Sequence, residues 1–506
     1  MERCQYTIST DCFTNPGISF KTVFMNGMEP RDIFSNISPL DHRYSVSDPA
    51  LFDSLKGYLS EDASVRACLR VEIALLKTLL ARRNTAEKCG ALFAELDSLA
   101  SSISPHEVYA EEEKTRHNIR ALVNVLKRRV PESARPFVHL GATSVDILDT
   151  AASLRYRDVV RSVLMPILLD LEEEIVRLTR DEAKTPQIGR THGQHAVPIT
   201  FGFAMAQYAS RLGQSIPRIS ERASELRGKL SGAVGSYNAT SLVVEDPQSL
   251  ERELLDELGL KPSELSTQLV EPEYLLSLLL EINTAFGIIA NLADDLRNLQ
   301  RSEIGEVREE FASTQVGSST MPQKRNPWNS EHVKSLWKAF CPRVVTFFMD
   351  QISEHQRDLT NSASSRFIAD YLAGFACGVS RMLSVVRSLS VDRKRMAENL
   401  AMGGDLVFSE PVYVLIARGG ESDAHERVRK ATVRAEKTGE RLRDVLREDA
   451  RLWKLLDDNL KSTLGMDADT FFSSPAAYTG LAARRAAETA DEYAALVKKM
   501  RNPPPG

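Results

Sequence analysis

Three stretches of the chain repeat apolar residues alternately four and three positions apart, a spacing that suits long amphipathic helices. Leu164, Leu168, Leu171, Ile175 and Leu178 make one seam. Leu278, Ile282, Ala285, Ile289, Leu292, Leu296 and Leu299 make a second, and Val333, Trp337, Phe340, Val344 and Phe347 a third. A heptad seam seeks the seam of a neighbouring helix. Read as one helix, Pro272 to Phe311 is roughly 60 Å long at 1.5 Å per residue, too long for the core of a compact monomer. Alternating β patterns are scarce. The expected fold is all-α, with central long helices that bundle with one another and with those of other subunits. A monomeric bundle or coiled coil is the plainer alternative.

Changes of pattern along the chain set the expected organisation. Residues 1–36 read as an N-terminal extension, 37–140 as a domain of shorter amphipathic helices, 141–390 as the long-helix domain, and 391–506 as a highly charged domain of small helices with a Pro-rich tail. Met1 to Gly27 has no apolar stretch long enough for a signal peptide, so it suits an extension or a start upstream of Met25 or Met28. The most apolar run, Tyr274 to Ile282, is interrupted by Ser277 and Glu281 and is too short to span a bilayer. With a net charge of -5 there is no overall basic field, which argues against nucleic acid or an anionic membrane as the main partner. The six cysteines, Cys4, Cys12, Cys68, Cys89, Cys341 and Cys377, lack Cys-x-x-Cys spacing and read as reduced, cytoplasmic thiols.

Several polar clusters have no use in a helical core. The loop Gly317-Ser-Ser-Thr-Met-Pro-Gln-Lys-Arg-Asn-Pro327 places two hydroxyls, an ammonium and a carboxamide between two helical stretches. Turn chemistry explains its Gly, Ser, Asn and Pro, but Lys324 and Asn326 point to an anionic ligand. A second cluster, Gly189-Arg-Thr-His-Gly-Gln-His195, also lies between helices; one histidine there is more often structural than catalytic, and His192 with His195 lacks the company of a zinc site. Further donors occur in Ser38 to Tyr44, Lys114 to Asn118, His139 to Asp146, and His355 to Ser362 running on to Arg366. Each has a plain structural reading. Arg43 suits a surface ion pair, Thr143 and Ser144 an N-cap, and Ser362 with Arg366 one solvated helix face four residues apart. Gln268 sits just before the second seam.

Taken in order, these motifs resemble the fumarase, aspartase and argininosuccinase superfamily, and within it the adenylosuccinate lyase family, over most of the chain. The resemblance implies a three-domain helical homotetramer whose central domains pool into a twenty-helix core, with each active site built from three subunits. It implies elimination of fumarate from adenylosuccinate, giving AMP, and from the succinylcarboxamide ribotide of purine synthesis, with no cofactor and no metal. By the same resemblance Ser318 is the base, His192 the acid, and Glu331 the partner that orients it. Arg43, Tyr44, Ser362 and Arg366 hold the ribose phosphate. Thr143, Ser144, Gln268, Lys324, Asn326 and Arg357 surround the succinyl carboxylates and nearby polar atoms, and His117, beside Arg116, assists at the nucleotide or leaving nitrogen. From the residues alone a histidine or glutamate base is the natural choice, because a free serine hydroxyl is a poor one.

The chain departs from the family pattern at Asn118, where Asp is frequent, at His42, where Gly is frequent, and at the variable His195. Two other readings stay open. A sister enzyme such as carboxymuconate cycloisomerase or argininosuccinate lyase shares the loop without needing the phosphate set. A structural protein on the same fold, like a lens crystallin, requires neither Ser318 nor His192.

Overall fold

The computed structural model of the protein describes residues 33–83, 90–310, 320, 321 and 323–502. Ser318 and Gly317, Cys4, Cys12 and Cys89, most of the expected N-terminal extension and the tail 503–506 lie outside the described residues. Contacts divide the chain into two units, Met1–Phe52 and Asp53–Gly506. In the first, Ser38 caps the turn Pro39–Asp41 by accepting the Leu40 N–H at 3.3 Å, and the short helix Arg43–Ser47 follows.

The second unit is built almost wholly of helices, and its described strands form three two-stranded ladders. The first seam is fully inside: Leu164, Leu168, Leu171, Ile175 and Leu178 are all buried. Its helix runs as Ser144–Val159, a wider π turn over Val160–Leu164, and Met165–Asp181. Pro166 explains the wide turn, since it has no N–H to give the carbonyl four residues back and its ring crowds that carbonyl.

The second seam also faces inward from Leu278 to Leu296, but its helix is Pro272–Leu299, roughly 42 Å rather than 60 Å long. The chain turns at Arg301 to Gly305, with Gly305 at φ 64°, and re-emerges as the strand Val307–Glu309 paired with Leu389–Val391. The most apolar window of this helix has a mean hydropathy of 1.7, sufficient by composition for a bilayer; 56% of it is buried, as suits a core helix. The third seam is broken too. Trp328–Phe340 ends in a tight turn at Cys341-Pro342-Arg343 before the short helix Val344–Met349, and residues 350 to 363 form turns. Ser362 and Arg366 therefore do not share a continuous helix face. Pro342 fits the break, and heptad spacing across it does not reveal a change of helix type.

Helices Met165–Asp181, Phe201–Ser224 and Ala482–Arg501 pack on one another, and Pro272–Leu299 packs on Phe201–Ser224. At their junction Gly213 admits the Tyr493 ring so closely that a Cβ there would lie 2.1 Å from it. Glu172 shares this junction, fully buried, and neither carboxylate oxygen has a hydrogen-bond partner among the described residues. Burial pushes its pKa well above the ordinary 4.5. The folded protein therefore holds a proton that the unfolded chain releases above about pH 4.5, and stability from this group falls as pH rises from there toward the folded pKa. Glu172→Gln should gain stability relative to the parent as pH rises from 5 to 8 in urea unfolding. A difference that does not change with pH would refute the neutral buried carboxyl.

Candidate active site

The cluster around His192 is a β-hairpin. Pro186–Thr191 pairs antiparallel with Gln194–Thr200, leaving His192 and Gly193 as the two-residue turn. Their φ values of 53° and 75° belong to a tight hairpin turn that needs left-handed residues, which is why glycine follows the histidine. His192 is thus exposed at a tip. The base of the hairpin is held from inside by Glu306, itself fully buried. Its carboxylate accepts from Gln187 Nε2 at 2.7 Å, Asn399 Nδ2 at 2.8 Å, and both terminal nitrogens of Arg190 at 3.2 and 2.6 Å. Desolvation, and then the charge of Arg190, lower the pKa of His195, with Glu306 acting against them.

The described end of the polar loop lines a cleft of about 540 Å³. Lys324, Asn326 and Glu331 meet there with Arg297, Arg301 and Arg325, an arrangement suited to carboxylate groups. Buried Glu309 fixes this arm: its carboxylate accepts from Asn329 N and Nδ2 at 3.2 and 3.0 Å and from Ser330 N and Oγ at 2.8 and 2.6 Å. Four donors on one carboxylate satisfy the start of helix Trp328–Phe340 and set the direction of Glu331. Gln300 adds a strut, accepting from Glu309 N at 2.8 Å and donating to Arg325 O at 3.2 Å.

His117 caps the helix Asn118–Arg129, its Nδ1 accepting the Arg120 N–H at 3.3 Å. In neutral His117 the proton is thereby placed on Nε2, which makes that nitrogen a donor. Arg116 precedes it in the left-handed region at φ 53°, ending the helix Pro105–Thr115. The Asn118 side chain is turned to its own helix, its oxygen accepting the Ile119 N–H at 2.7 Å. Burial and Glu61 raise the pKa of the Tyr109 phenol, and Arg366 opposes this, so Arg366 lies by the helix that leads into His117. Arg366 belongs to the short helix Ser364–Phe367, and Ser362 N donates to Leu359 O in the turn before it.

Thr143 and Ser144 open the helix Ser144–Val159, as the capping pattern predicts. Beneath them the Asp146 carboxylate accepts Thr143 N at 2.8 Å and Gly232 N at 3.2 Å and forms an ion pair with Lys229; both side chains of the pair are fully buried. Next to this corner His139, at φ 62°, bonds through Nδ1 to the buried Glu72 at 2.7 Å. Gln268 and Arg357, remote in sequence, meet through Arg357 Nη1 to Gln268 Oε1 at 3.1 Å. Two residues on, Val270 N donates to Asp149, whose pKa burial pushes up to about 6. Arg43 and Tyr44 open the short helix of the first unit.

The chain therefore joins Lys324, Asn326 and Glu331 in one cleft and pairs Gln268 with Arg357. His192 does not line that cleft; its neighbours Gly193 and His195 line a second one, of about 1090 Å³, with Arg190 and Phe203, and Arg301 lines both. Sequence reading passed over Glu306, Glu309, Glu72 and Lys229, because nothing in their neighbours distinguishes a buried acid or lysine from the many solvated ones. Asp146 alone carried a signal, three residues after a helix-capping Thr.

Residues 42–344 match the lyase family, and residues 353–465 match the adenylosuccinate lyase C-terminal family. Adenylosuccinate lyase of Archaeoglobus fulgidus is 32% identical over 443 residues, covering 85% of this chain and 94% of its own. That of Pyrococcus horikoshii is 31% identical, covering 83% and 92%. In fold the chain is similar to the 3-carboxy-cis,cis-muconate lactonizing enzyme of Pseudomonas putida, with a TM-score of 0.74 at 24% identity over 88% of this chain and 97% of the other. The long-helix bundle, the polar loop and both family matches agree, and the chain belongs to the adenylosuccinate lyase family of the fumarase/aspartase superfamily.

Proposed function

We propose that the protein eliminates fumarate from adenylosuccinate, leaving AMP, and from the succinylcarboxamide ribotide, leaving its carboxamide. The observation that carries this reading is the pair of family matches, the lyase family over residues 42–344 and the adenylosuccinate lyase C-terminal family over residues 353–465. In the reaction a base removes the proton on the carbon beside a carboxylate, the carbon–nitrogen bond breaks, and an acid returns a proton to the departing nitrogen. The intermediate aci-carboxylate is doubly charged, and preorganised cations are the main means of stabilising it. Lys324, Asn326 and the arginines of their cleft suit that task. Ser318 is assigned as base, His192 as acid, and Glu331 as the carboxylate that orients His192. Thr143, Ser144, Gln268 and Arg357 hold the succinyl part, Arg43, Tyr44, Ser362 and Arg366 the phosphate, and Arg116 with His117 the nucleotide side.

In this reading 141–390 is the domain that assembles, between the helical domains 37–140 and 391–506, and the working form is a homotetramer with shared sites. Two features support assembly. His192 does not line the Lys324 cleft within one chain, and apolar side chains are left exposed at and beyond the end of the third seam: Val345, Phe348, Met349, Ile352, Leu359 and Phe367 are each about half or more exposed. Purified protein mixed separately with adenylosuccinate, argininosuccinate and 3-carboxymuconate should release fumarate only from the first. Fumarate from argininosuccinate, lactone from carboxymuconate, or no product from any would overturn the assignment.

A further inference from the structure

Helix Pro272–Leu299 ends at Gln300, and within ten residues the chain presents two buried carboxylates, Glu306 at 0% and Glu309 at 3% exposure. Each is saturated by four donors, and the donors come from different parts of the molecule. Glu306 binds Gln187 and Arg190 of the hairpin together with Asn399 of the helix Arg393–Met402. Glu309 binds Asn329 and Ser330, which start the helix carrying Glu331. Between them Val307 is fully buried, and the strand is fastened to Leu389–Val391, with Asp392 N donating to Glu306 O at 2.9 Å. A buried acid has a high desolvation cost and is stable only with such a set of donors. An apolar residue would serve the core with less to lose, so the cost has a use elsewhere.

We propose that Glu306 and Glu309 are positioning residues, which fix the His192 hairpin and the Lys324–Glu331 arm to a single short strand, Glu306 immediately before it and Glu309 at its end, and so set both to the geometry that turnover requires. The inference rests on the site roles given above. Arg190 is two residues from His192 and is gripped through both terminal nitrogens, which fixes the hairpin's tilt as well as its position. Ser330 is adjacent to Glu331, and Asn329 is three residues from Asn326. Where sites are shared between subunits, the hairpin and arm of one chain serve different sites, and the strand then ties those sites together.

The test is steady-state fumarate release from adenylosuccinate by Glu306→Gln and Glu309→Gln, with Gln187→Met and Ser330→Ala as milder variants that each remove one donor. Misplacement of a reacting group by about 1 Å costs about a hundredfold, so each Glu→Gln variant should lose about that in kcat, with KM within about threefold. Each milder variant should lose about fivefold to tenfold in kcat, with an unchanged thermal midpoint and unchanged assembly. Folded Glu→Gln variants with kcat within threefold of the parent would overturn the proposal. If they do not fold, parental kcat in folded Gln187→Met and Ser330→Ala would overturn it, and so would a rise in KM alone. A parent that releases no fumarate would instead fail the functional assignment, which keeps the two outcomes apart.

Discussion

Replacing Ser318 by alanine, or His192 by asparagine, should lower kcat for fumarate release by about 10²–10⁴-fold, the range a general base or acid contributes. Asparagine is the better replacement at the hairpin tip, because His192 holds φ 53° and asparagine tolerates that region where alanine adds strain. The His192 change removes no buried surface, since that residue is exposed at the tip, so that variant should keep its helix content and assembly. Near-parental kcat in either variant would remove the role assigned to that residue. Mixing the two inactive proteins after mild dissociation extends the test. A site built from different subunits regains activity in mixed tetramers, because some sites then draw an intact Ser318 from one chain and an intact His192 from another. Mixed tetramers demonstrated by mass that stay inactive would count against shared sites.

The largest loss of stability is expected at Lys229. Its ammonium and the Asp146 carboxylate are both fully buried, and removing one partner leaves the other charge without its counterion in a medium that solvates it poorly. Lys229→Met should cost about 3–5 kcal/mol of unfolding free energy. Adding Asp146→Asn should return part of that loss, since the carboxamide oxygen still accepts the Thr143 N–H while the buried charge is gone. Chemical unfolding of the parent, both single variants and the double variant measures the coupling. Additive effects would show that the pair is not a unit. Because Asp146 holds the corner bearing Thr143 and Ser144, Lys229→Met should also raise KM for adenylosuccinate.

Helices were legible in the sequence wherever the apolar period was uninterrupted. The seam from Leu164 to Leu178 and that from Leu278 to Leu296 are buried as their spacing demands. The same rule failed where period continued across a change of backbone. Val344 and Phe347 keep the heptad beyond Pro342, yet the helix ends at Phe340. Pro272 to Phe311 can be read as one helix, yet the helix ends at Leu299 and the chain turns at Gly305. Ser362 and Arg366 are spaced for one helix face but occupy a turn and a short tight helix, because nothing between Met349 and Ser364 buries enough apolar surface to hold a continuous helix there.

The candidate site divides in the same way. Its polar loop, the cluster around His192 and the capping Thr were visible because each needs particular residue types in adjacent places, whereas the hairpin that carries His192 was not foreseen. The groups that hold them were not, since Glu306, Glu309 and Lys229 resemble any surface charge until packing removes water from around them. Residue order by itself determined the all-α class, the two long seams and the residue types available for chemistry, as these follow from local period and local sterics. Only the tertiary structure decided which charges are buried, that Gln268 meets Arg357 across 89 positions, and that the hairpin and the loop arm hang from one strand. Such pairings depend on how distant segments exclude water together, and no spacing along the chain carries that information.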